Sequence, residues 1–414
     1  MQPPEGGVWL RERSLWIALA ATLAARAALA FAAFTWFADA AWLGHLLIDV
    51  SRWGHVLEQA RRGLVPFVDF GIEYPVGAGL FYWLVGPLLS ATDLRHLALT
   101  HAAVMAAVDG VNVALFHRLV WAVSPRRALG LSLLFSLNLT ALVLAPARFD
   151  SVAVSFVLLG CLAHRQGRPL RAACWWSLGS LVKWFPALLL AVQELRAYRV
   201  EGRRSQWLRS GLVLAGITLL ANAPFLLLCW MHKGNLEAWL YSYRFHLRRP
   251  LYWDTLLGVL QLWLGPLPWE RYAGLWSFAL VAATLLLRPA LRLEYKATLA
   301  CLAGLLLNRV YSPQFHLWFY PLLLLGLADE PLPRMRRLLA LFAGLDVLNV
   351  LVYPVAFAHT LLLAPPRPGA ALEGGGWLAA FSIAMVLRSL AQVALGAELL
   401  RSPAPTGSLR MTVA

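Results

Sequence analysis

The 414-residue chain is 60% hydrophobic and only 14% charged, and its mean hydropathy is +0.64. A soluble domain is about 25% charged, so this composition excludes a globular enzyme and predicts a multi-pass protein of the lipid bilayer. The formal charge of +15 comes mostly from arginines in short clusters between apolar runs. That placement is typical of orientation signals at anionic headgroups and argues against nucleic acid as a partner.

In chain order, apolar runs near the length that spans a bilayer, about 20 residues, recur along the chain. They predict an all-α polytopic fold with about 12 transmembrane helices, at 14–37, 97–122, 127–146, 150–164, 170–182, 184–197, 207–229, 271–288, 296–310, 314–327, 336–357 and 377–399. Two shorter stretches rich in Gly or Pro, 75–90 and 254–265, predict re-entrant or interfacial segments. Apolar positions at helical spacing within 43–62 predict an interfacial amphipathic helix.

The basic clusters predict the orientation, because cytoplasmic loops carry an excess of Lys and Arg. If both termini are cytoplasmic, the clusters RERS, SPRR, HRQGRPLR, RAYRVEGRRSQWLR, RPALR and PRMRR all face the cytoplasm. Residues 1–400 then form a single integral domain of the plasma membrane, whose first extracytoplasmic loop is 38–96. Residues 401–414 are predicted to be a disordered cytoplasmic tail.

Acidic side chains recur among aromatic residues in that first loop. Asp49 follows the first span, and the stretch LVPFVDFGIEYPVG contains Asp69, Glu73 and Tyr74. Each acid has an ordinary interpretation, Asp49 as a solvated helix charge and Glu73 as a partner for the dipole of a helix that begins after Pro75. The alternative is that Asp69 and Glu73 line an outward-facing site beside Asp49.

Two more polar features interrupt the apolar runs. ARFDSVAV places Arg148 and Asp150 at a turn between two spans, where a local ion pair and a helix cap explain them as well as a functional role does. SLVKWFPALLL isolates Lys183 among apolar residues near Pro186. A lysine at that depth is energetically unfavourable and favours a functional role, often contact with an anion.

Two further segments, YSYRFHLRRPLYWDT and LLNRVYSPQFHLWFYPLLL, are predicted on the same extracytoplasmic face. Their candidate binding side chains are His246, Arg248, Arg249, Arg309, Gln314 and His316. Arginines beside aromatic rings suit phosphate oxygens and sugar stacking. In a shared site, a carboxylate could act as general base on an acceptor hydroxyl while cations stabilise a departing phosphate.

The order of these blocks resembles the GT-C superfamily of membrane glycosyltransferases, specifically glycosyltransferase family 87, the polyprenyl-phosphate-mannose-dependent α-mannosyltransferases. GLVPFVDFGIEYPVG is similar to the family's G-x-x-P-Y-x-D-F-x-x-E-Y-P-P, and NRVYSPQFHLWFYPLL is similar to K-x-x-S-P-Q-Y-x-x-W-x-x-P. The resemblance spans roughly residues 14–330. It implies a GT-C fold, a polyprenyl-phosphate sugar donor, a glycolipid or glycan acceptor and a site at the outer membrane edge.

The resemblance also implies residue roles. The usual base is an early outside aspartate, for which Asp49 matches best and Asp69 competes. Donor and acceptor contacts map onto Glu73, Arg148, Asp150, Lys183, Arg249, Gln314 and His316. No cofactor is implied, although the loop acids leave a divalent cation open.

This sequence departs from the family at a few positions. EYPV replaces EYPP, and Arg148 and Arg309 stand where a neutral residue and a lysine are expected. These departures bear on the substrate more than on the reaction, and mannose is the family's commonest donor sugar without being read from any residue here.

Different classes of protein stay open at this point. A transporter or lipid flippase predicts inverted repeats and polar groups spread through the core. A same-fold transferase for another lipid-linked sugar and a non-catalytic scaffold are also compatible with the sequence.

Overall fold

A computed structural model of the chain describes residues 5–36, 46–89, 93–268, 270–356 and 376–402. Within these ranges the protein is all-helical, with short 3-10 turns and no β-strand. The helices described are α1 (Glu5–Trp36), α2 (Ile48–Arg61), α3 (Val76–Val85), α4 (Leu94–Trp121), α5 (Pro125–Leu137), α6 (Leu139–Leu144), α7 (Asp150–Arg165), α8 (Pro169–Ser180), α9 (Pro186–Arg199), α10 (Arg204–Lys233), α11 (Glu237–Arg248), α12 (Leu256–Leu264), α13 (Ala273–Leu286), α14 (Leu293–Leu306), α15 (His316–Gly326), α16 (Leu332–Val350) and α17 (Gly376–Leu400).

Each of the twelve predicted apolar runs overlaps a helix. The run 127–146 overlaps two, because the helix breaks at Asn138 into α5 and α6, and the run 336–357 continues beyond α16 into the kinked segment Leu351–Ala356. The helix expected within 43–62 is α2, and the short stretches 75–90 and 254–265 form α3 and α12. Residues 38–45, 358–375 and 403–414, which include most of the predicted tail, lie outside the described residues.

The structure supports fewer membrane-spanning helices than the twelve that the sequence predicts. Four helices are long and apolar enough to cross a membrane alone, Trp9–Ala33 within α1, α4, α10 and α17, and the bent pair α5–α6 makes a fifth if it is one span. These segments support a multi-pass helical membrane protein. Several of the remaining helices have only 9 to 16 residues, which is shorter than an upright crossing, so twelve spans stay a prediction.

The exposed surface of the long helices is apolar, as expected for a surface in contact with lipid. In α10, Leu212, Leu219 and Leu220 are each more than 60% exposed, and Phe278 of α13 is 72% exposed. A soluble protein rarely exposes so continuous an apolar surface. The bilayer is therefore the environment that these helices require.

The break between α5 and α6 is held by polar side chains. Asp346 of α16 accepts hydrogen bonds from the backbone N–H groups of Leu139 (2.7 Å) and Thr140 (3.0 Å). Arg26 of α1 donates to the carbonyl oxygens of Ser136 (3.3 Å) and Ala141. Within a membrane each unsatisfied backbone group is destabilising by several kcal/mol, so these contacts are what permit a broken helix at this depth.

Stacked aromatic rings dock the first-loop helices onto the bundle. Trp53 of α2 stacks on Tyr82 of α3 with ring centroids 3.7 Å apart. The Tyr82 hydroxyl donates to Nε2 of His101 in α4 (2.8 Å), whose Nδ1–H donates to the Pro146 carbonyl oxygen (3.0 Å). This chain of contacts brings α2 and α3 against the turn that carries Arg148, and it positions the site.

Candidate active site

Asp49 lies in the first turn of α2 and is buried. Its Oδ2 is 3.3 Å from Nη1 of Arg148, and its Oδ1 is 3.9 Å from Nη1 of Arg52. Oδ2 accepts no hydrogen bond of acceptable geometry within the described part of the chain. A buried carboxylate oxygen of this kind can accept a proton or a hydrogen bond from a ligand.

Arg148 fixes the position of Asp49. It lies between the 3-10 turn Ala145–Ala147 and α7, and it donates to the carbonyl oxygen of Leu46 (3.0 Å) and to the Tyr353 hydroxyl (3.4 Å). These bonds join the start of the first-loop helices to the segment Leu351–Ala356, which follows α16. The local alternative, an ion pair between Arg148 and Asp150, is wrong, because Asp49 is the ion-pair partner of Arg148.

Asp150 pairs with Lys183. The Lys183 ammonium, in the break between α8 and α9, is 3.5 Å from Oδ1 of Asp150, and Nε1–H of Trp318 donates to that oxygen (2.6 Å). Nζ of Lys183 also lies 4.3 Å from the ring centroids of Tyr74 and Phe149. Oδ2 of Asp150 accepts no hydrogen bond among the described residues. The pair is desolvated, and such pairs are sensitive to the loss of either partner.

Asp49, Arg148, Asp150 and Lys183 are called the Asp49 cluster below. Glu73 connects this cluster to α11. Its Oε1 is 2.7 Å from Nη1 of Arg52, and its backbone carbonyl accepts a hydrogen bond from Nε2–H of His246 (2.8 Å). The Trp184 ring lies against the His246 ring with centroids 4.9 Å apart. Burial lowers the pKa of His246 to about 4, so the ring is neutral at pH 7 and acts as a hydrogen-bond donor.

The other candidate base, Asp69, is in different surroundings. It pairs with Lys233 at the end of α10 (2.8 Å) and accepts a hydrogen bond from the backbone N–H of Val65 (2.8 Å). These bonds to the Asp69 carboxylate, the Lys233 one foremost, lower its pKa. None of its ion pairs or hydrogen bonds among the described residues reaches Asp49 or Lys183. Glu73, but not Asp69, is therefore linked to the Asp49 cluster.

The three candidate arginines at the end of α11 and after α14 have different environments. Arg248 is exposed. Arg249 is partly buried, with its guanidinium over the rings of Phe245 (5.2 Å) and Tyr252 (4.8 Å), and its Nε has no hydrogen-bond partner in the described chain. Arg309 donates to the carbonyl oxygens of Leu247 (3.1 Å) and Arg271. Nε of Arg309 also has no hydrogen-bond partner in the described chain, but the Nη groups of Arg309 are bonded to backbone and fasten the end of α11. Arg249 is the arginine whose guanidinium makes no protein hydrogen bond among the described residues and can donate to a ligand.

Gln314 and His316 lie deeper in the bundle. Both are buried, Gln314 in the 3-10 turn before α15 and His316 at the first position of that helix. Both ring nitrogens of His316 are hydrogen-bonded to tyrosines, Nε2 to Tyr311 and Nδ1 to Tyr320 (2.7 Å). As placed, His316 holds tyrosines in position and has no nitrogen available to a substrate.

The structure adds residues that the sequence did not single out. Arg52 lies between Asp49 and Glu73, and it stands three positions after Asp49 in α2, a spacing that places both on one helix face. Arg388 of α17 donates to the backbone carbonyl of Asp254 and lies 3.6 Å from the ring centroid of Tyr311. Arg388 could have been found in the sequence, because a charged residue inside an apolar run such as 377–399 indicates a functional or structural role.

The loop acids engage protein cations. Asp69 pairs with Lys233, and Glu73 pairs with Arg52. Within the ranges that the structure describes, no group of three or more His, Cys, Asp or Glu side chains is arranged to hold a metal ion.

Comparison with known proteins assigns no family. No protein-family model, curated protein or solved structure matches this chain significantly. The resemblance to glycosyltransferase family 87 therefore rests on the sequence blocks alone.

Proposed function

We propose that this protein is a membrane glycosyltransferase that moves a sugar from a polyprenyl-phosphate donor to a glycolipid or glycan acceptor. The observation that carries the proposal is the buried Asp49 carboxylate, which Arg148 holds in place while one oxygen accepts no hydrogen bond. The Lys183–Asp150 pair lies in the same cluster, and the Arg52–Glu73 pair is linked to it. A base beside several cations suits a reaction in which a hydroxyl attacks and a phosphate departs.

In the proposed reaction, the acceptor hydroxyl oxygen bonds to the anomeric carbon of the donor sugar. The bond between that carbon and the phosphate oxygen breaks, and the polyprenyl phosphate leaves with the electron pair. The acceptor's proton passes to Oδ2 of Asp49. A phosphate leaving group is stable as an anion, so the step needs no general acid.

Lys183 of the cluster and Arg249, which follows α11, are assigned to the phosphate. Lys183 is a compact charge on a flexible stem, and Arg249 has an Nε without a hydrogen-bond partner in the described chain. Charge-assisted hydrogen bonds to phosphate are about twice as strong as neutral ones. Trp184, which is 45% exposed, borders this region beside His246 and offers a ring face to a sugar.

The proposed fold, donor sugar, cellular location and orientation are inferred from the sequence. A GT-C fold with about 12 spans rests on the resemblance, as does mannose as the donor sugar. A plasma-membrane location, cytoplasmic termini and an extracytoplasmic site rest on the basic clusters.

One observation favours a second candidate, a transporter or flippase. Arg26 of α1 pairs with Asp109 of α4 (3.2 Å) within two candidate spans, and charged groups at that depth often mark a transport pathway. Arg26 is also bonded to backbone carbonyls at the α5–α6 break, which gives the pair a structural explanation.

Chemical turnover in detergent distinguishes the two candidates, because a micelle has no compartments between which a substrate could be moved. The purified full chain is incubated with a panel of radiolabelled polyprenyl-phosphate sugars and a membrane glycolipid extract. A transferase releases one polyprenyl phosphate for each labelled acceptor formed. If no donor in the panel yields either product, the proposed transferase activity is refuted and the transporter or flippase becomes the favoured function.

A further inference from the structure

A pocket lined by arginines lies far from the candidate active site. Its cavity of about 790 Å³ lies between the start of α8 and the start of α10. α10 has 30 residues, which corresponds to about 45 Å at 1.5 Å per residue, and its other end carries Lys233, the partner of Asp69. The pocket is therefore at the opposite end of a candidate span and is a separate site.

The pocket, called the basic pocket below, is strongly cationic. Its lining includes Arg168, Arg171, Arg203, Arg204 and Arg209, and no acidic residue is among the described residues that line it. Glu201 lies nearby and pairs with Arg203 (3.4 Å). In the part of the chain that the structure describes, the other lining arginines form no ion pair. Glu194 is also close, since it accepts a hydrogen bond from the lining residue Gln206 (3.4 Å). Five arginines against these two acids leave a net positive charge, which attracts a polyanion.

Two helix N-termini border the same cavity. α8 begins at Pro169 and α10 begins at Arg204, and neither N-terminus has a side-chain cap. The first N–H groups of a helix have no intrahelical acceptor and carry partial positive charge, which favours an anion there. Gly202 has a φ of +67° and turns the chain tightly into α10. The two helix ends thus add to the field of the arginines.

Apolar side chains stand in and next to the pocket. Leu170 lines it, and Trp207 and Leu208, which follow the lining residue Gln206 in α10, are each more than half exposed. Tryptophan is enriched at the level of lipid headgroups. A ligand with both an anionic head and apolar chains fits this combination, whereas a soluble anion would use only the arginines.

We propose that the basic pocket binds the headgroup of an anionic phospholipid, with the acyl chains along the exposed face of α10. Arginine forks bind phosphate oxygens bidentately, and basic pockets at the ends of membrane helices suit lipid headgroups. Free phosphate shares the headgroup's chemistry, so the experiment must separate the two sources. This inference is independent of the proposed glycosyl transfer.

The test is lipid binding by native mass spectrometry of the full chain in detergent. The ligands are dioleoyl phosphatidylglycerol, dioleoyl phosphatidylcholine and inorganic pyrophosphate. The pocket variant is Arg168→Gln/Arg171→Gln/Arg209→Gln, and the matched control, Arg11→Gln/Arg126→Gln/Arg336→Gln, removes three charges from exposed arginines elsewhere. Arg209→Gln alone serves if the triple variant fails to fold.

We expect phosphatidylglycerol to bind the wild type and the control variant equally. The pocket variant should bind it roughly tenfold or more weakly, and Arg209→Gln roughly threefold or more weakly, since each basic residue contributes to attraction of anionic lipid. Phosphatidylcholine should bind weakly to all forms. Equal phosphatidylglycerol binding by the pocket and control variants would overturn the proposal. Pyrophosphate that binds alone and displaces phosphatidylglycerol would overturn the lipid assignment and leave a site for a soluble anion.

Discussion

The Lys183–Asp150 pair allows stability and function to be separated in one set of variants. Both side chains are buried and lie 3.5 Å apart. Lys183→Met leaves the Asp150 carboxylate with only the Trp318 hydrogen bond, and Asp150→Asn leaves the ammonium with two aromatic rings. The double variant Lys183→Met/Asp150→Asn removes both charges and keeps similar volumes.

The magnitudes follow from what each variant leaves buried. Removing one partner of a buried pair is destabilising by about 3–5 kcal/mol, and Lys183→Met should be near the lower value because Trp318 still donates to Asp150. Asp150→Asn should lower the free energy of unfolding by about 2 kcal/mol. The loss is smaller than the usual range because the cation–π contacts of Lys183 still stabilise the unpaired ammonium by about 2 kcal/mol. The double variant should lose only about 2 kcal/mol, because no charge is left unpaired. The coupling free energy is then about 3 kcal/mol.

The assay is equilibrium unfolding in mixed micelles, followed by the sugar-transfer assay on the same preparations. The pair Asp69–Lys233 is the control, because it is closer (2.8 Å) but its lysine side chain is 44% exposed. Its own cycle, Asp69→Asn with Lys233→Met, should give a coupling below about 1 kcal/mol. We therefore expect the longer ion pair, Lys183–Asp150, to have the larger coupling free energy, because it is buried.

Two results would refute this reasoning. Additive losses for Lys183→Met and Asp150→Asn would mean that the pair does not account for the burial of Lys183. Full transfer by the stable double variant would mean that Lys183 does not contact the donor phosphate.

Three other predictions concern the surroundings of the site. In Gly77→Ala the new Cβ would lie 2.7 Å from the Leu181 carbonyl oxygen, which already accepts from the Gly77 N–H, so we expect α3 to shift and the transfer rate to fall at least tenfold. Asp346→Asn removes one of two acceptors at the start of α6 and should lower the free energy of unfolding by about 1 kcal/mol. Because the pKa of His246 falls from 6.5 to about 4 in the folded state, the unfolded chain binds the extra proton. Stability should therefore fall as the pH drops from about 6.5 to 4, and His246→Gln should remove this component.

Each of these predictions has a control or a contrary result. Gly211→Ala is the matched glycine variant, since no atom of the described residues lies within 4 Å of the Cβ that it adds. Equal transfer rates for the two glycine variants would refute the steric argument. An unchanged free energy of unfolding for Asp346→Asn would show that the break is held instead by Arg26 and by Asn138, whose side chain accepts a hydrogen bond from the Ala141 N–H (2.9 Å). For His246, the free energies of unfolding of wild type and His246→Gln are compared at each pH. A difference between them that stays constant from pH 6.5 to about 4 would contradict the assigned burial of His246. Burial raises the pKa of Asp254 to about 6, so protonation of Asp254 makes the folded state more stable as the pH falls. Because this effect is present in both proteins, the test uses the difference between wild type and His246→Gln.

Much of the helical architecture could be predicted from local sequence. Apolar runs such as 97–122 and 207–229 lie within one or a few residues of α4 and α10, because hydrophobic length and flanking charge are local properties. The division of 127–146 could not be predicted with the same rule. It depends on Asp346, which follows the break by more than 200 residues and caps α6 from another helix.

The candidate site shows the same limit. The sequence indicated that Asp49, Asp69, Arg148, Asp150 and Lys183 needed explanation, yet neighbouring positions suggested a local Arg148–Asp150 pair. Which charges meet is decided by packing, since α2 and α3 dock through stacked rings and carry Asp49 to Arg148. Asp69 has the same local signals as Asp49 and was separated from it only by the position of Lys233.

The most direct test of the proposed mechanism compares Asp49→Asn with Asp69→Asn in the transfer assay, with the donor that the wild type uses. Both substitutions keep shape and remove one carboxylate, and both proteins should bind the donor. A positioned general base contributes about 10²–10⁴ in rate, so we predict that loss for Asp49→Asn and a rate within about twofold of wild type for Asp69→Asn. Transfer that survives in Asp49→Asn and is lost in Asp69→Asn would contradict the assignment of the base and of the site.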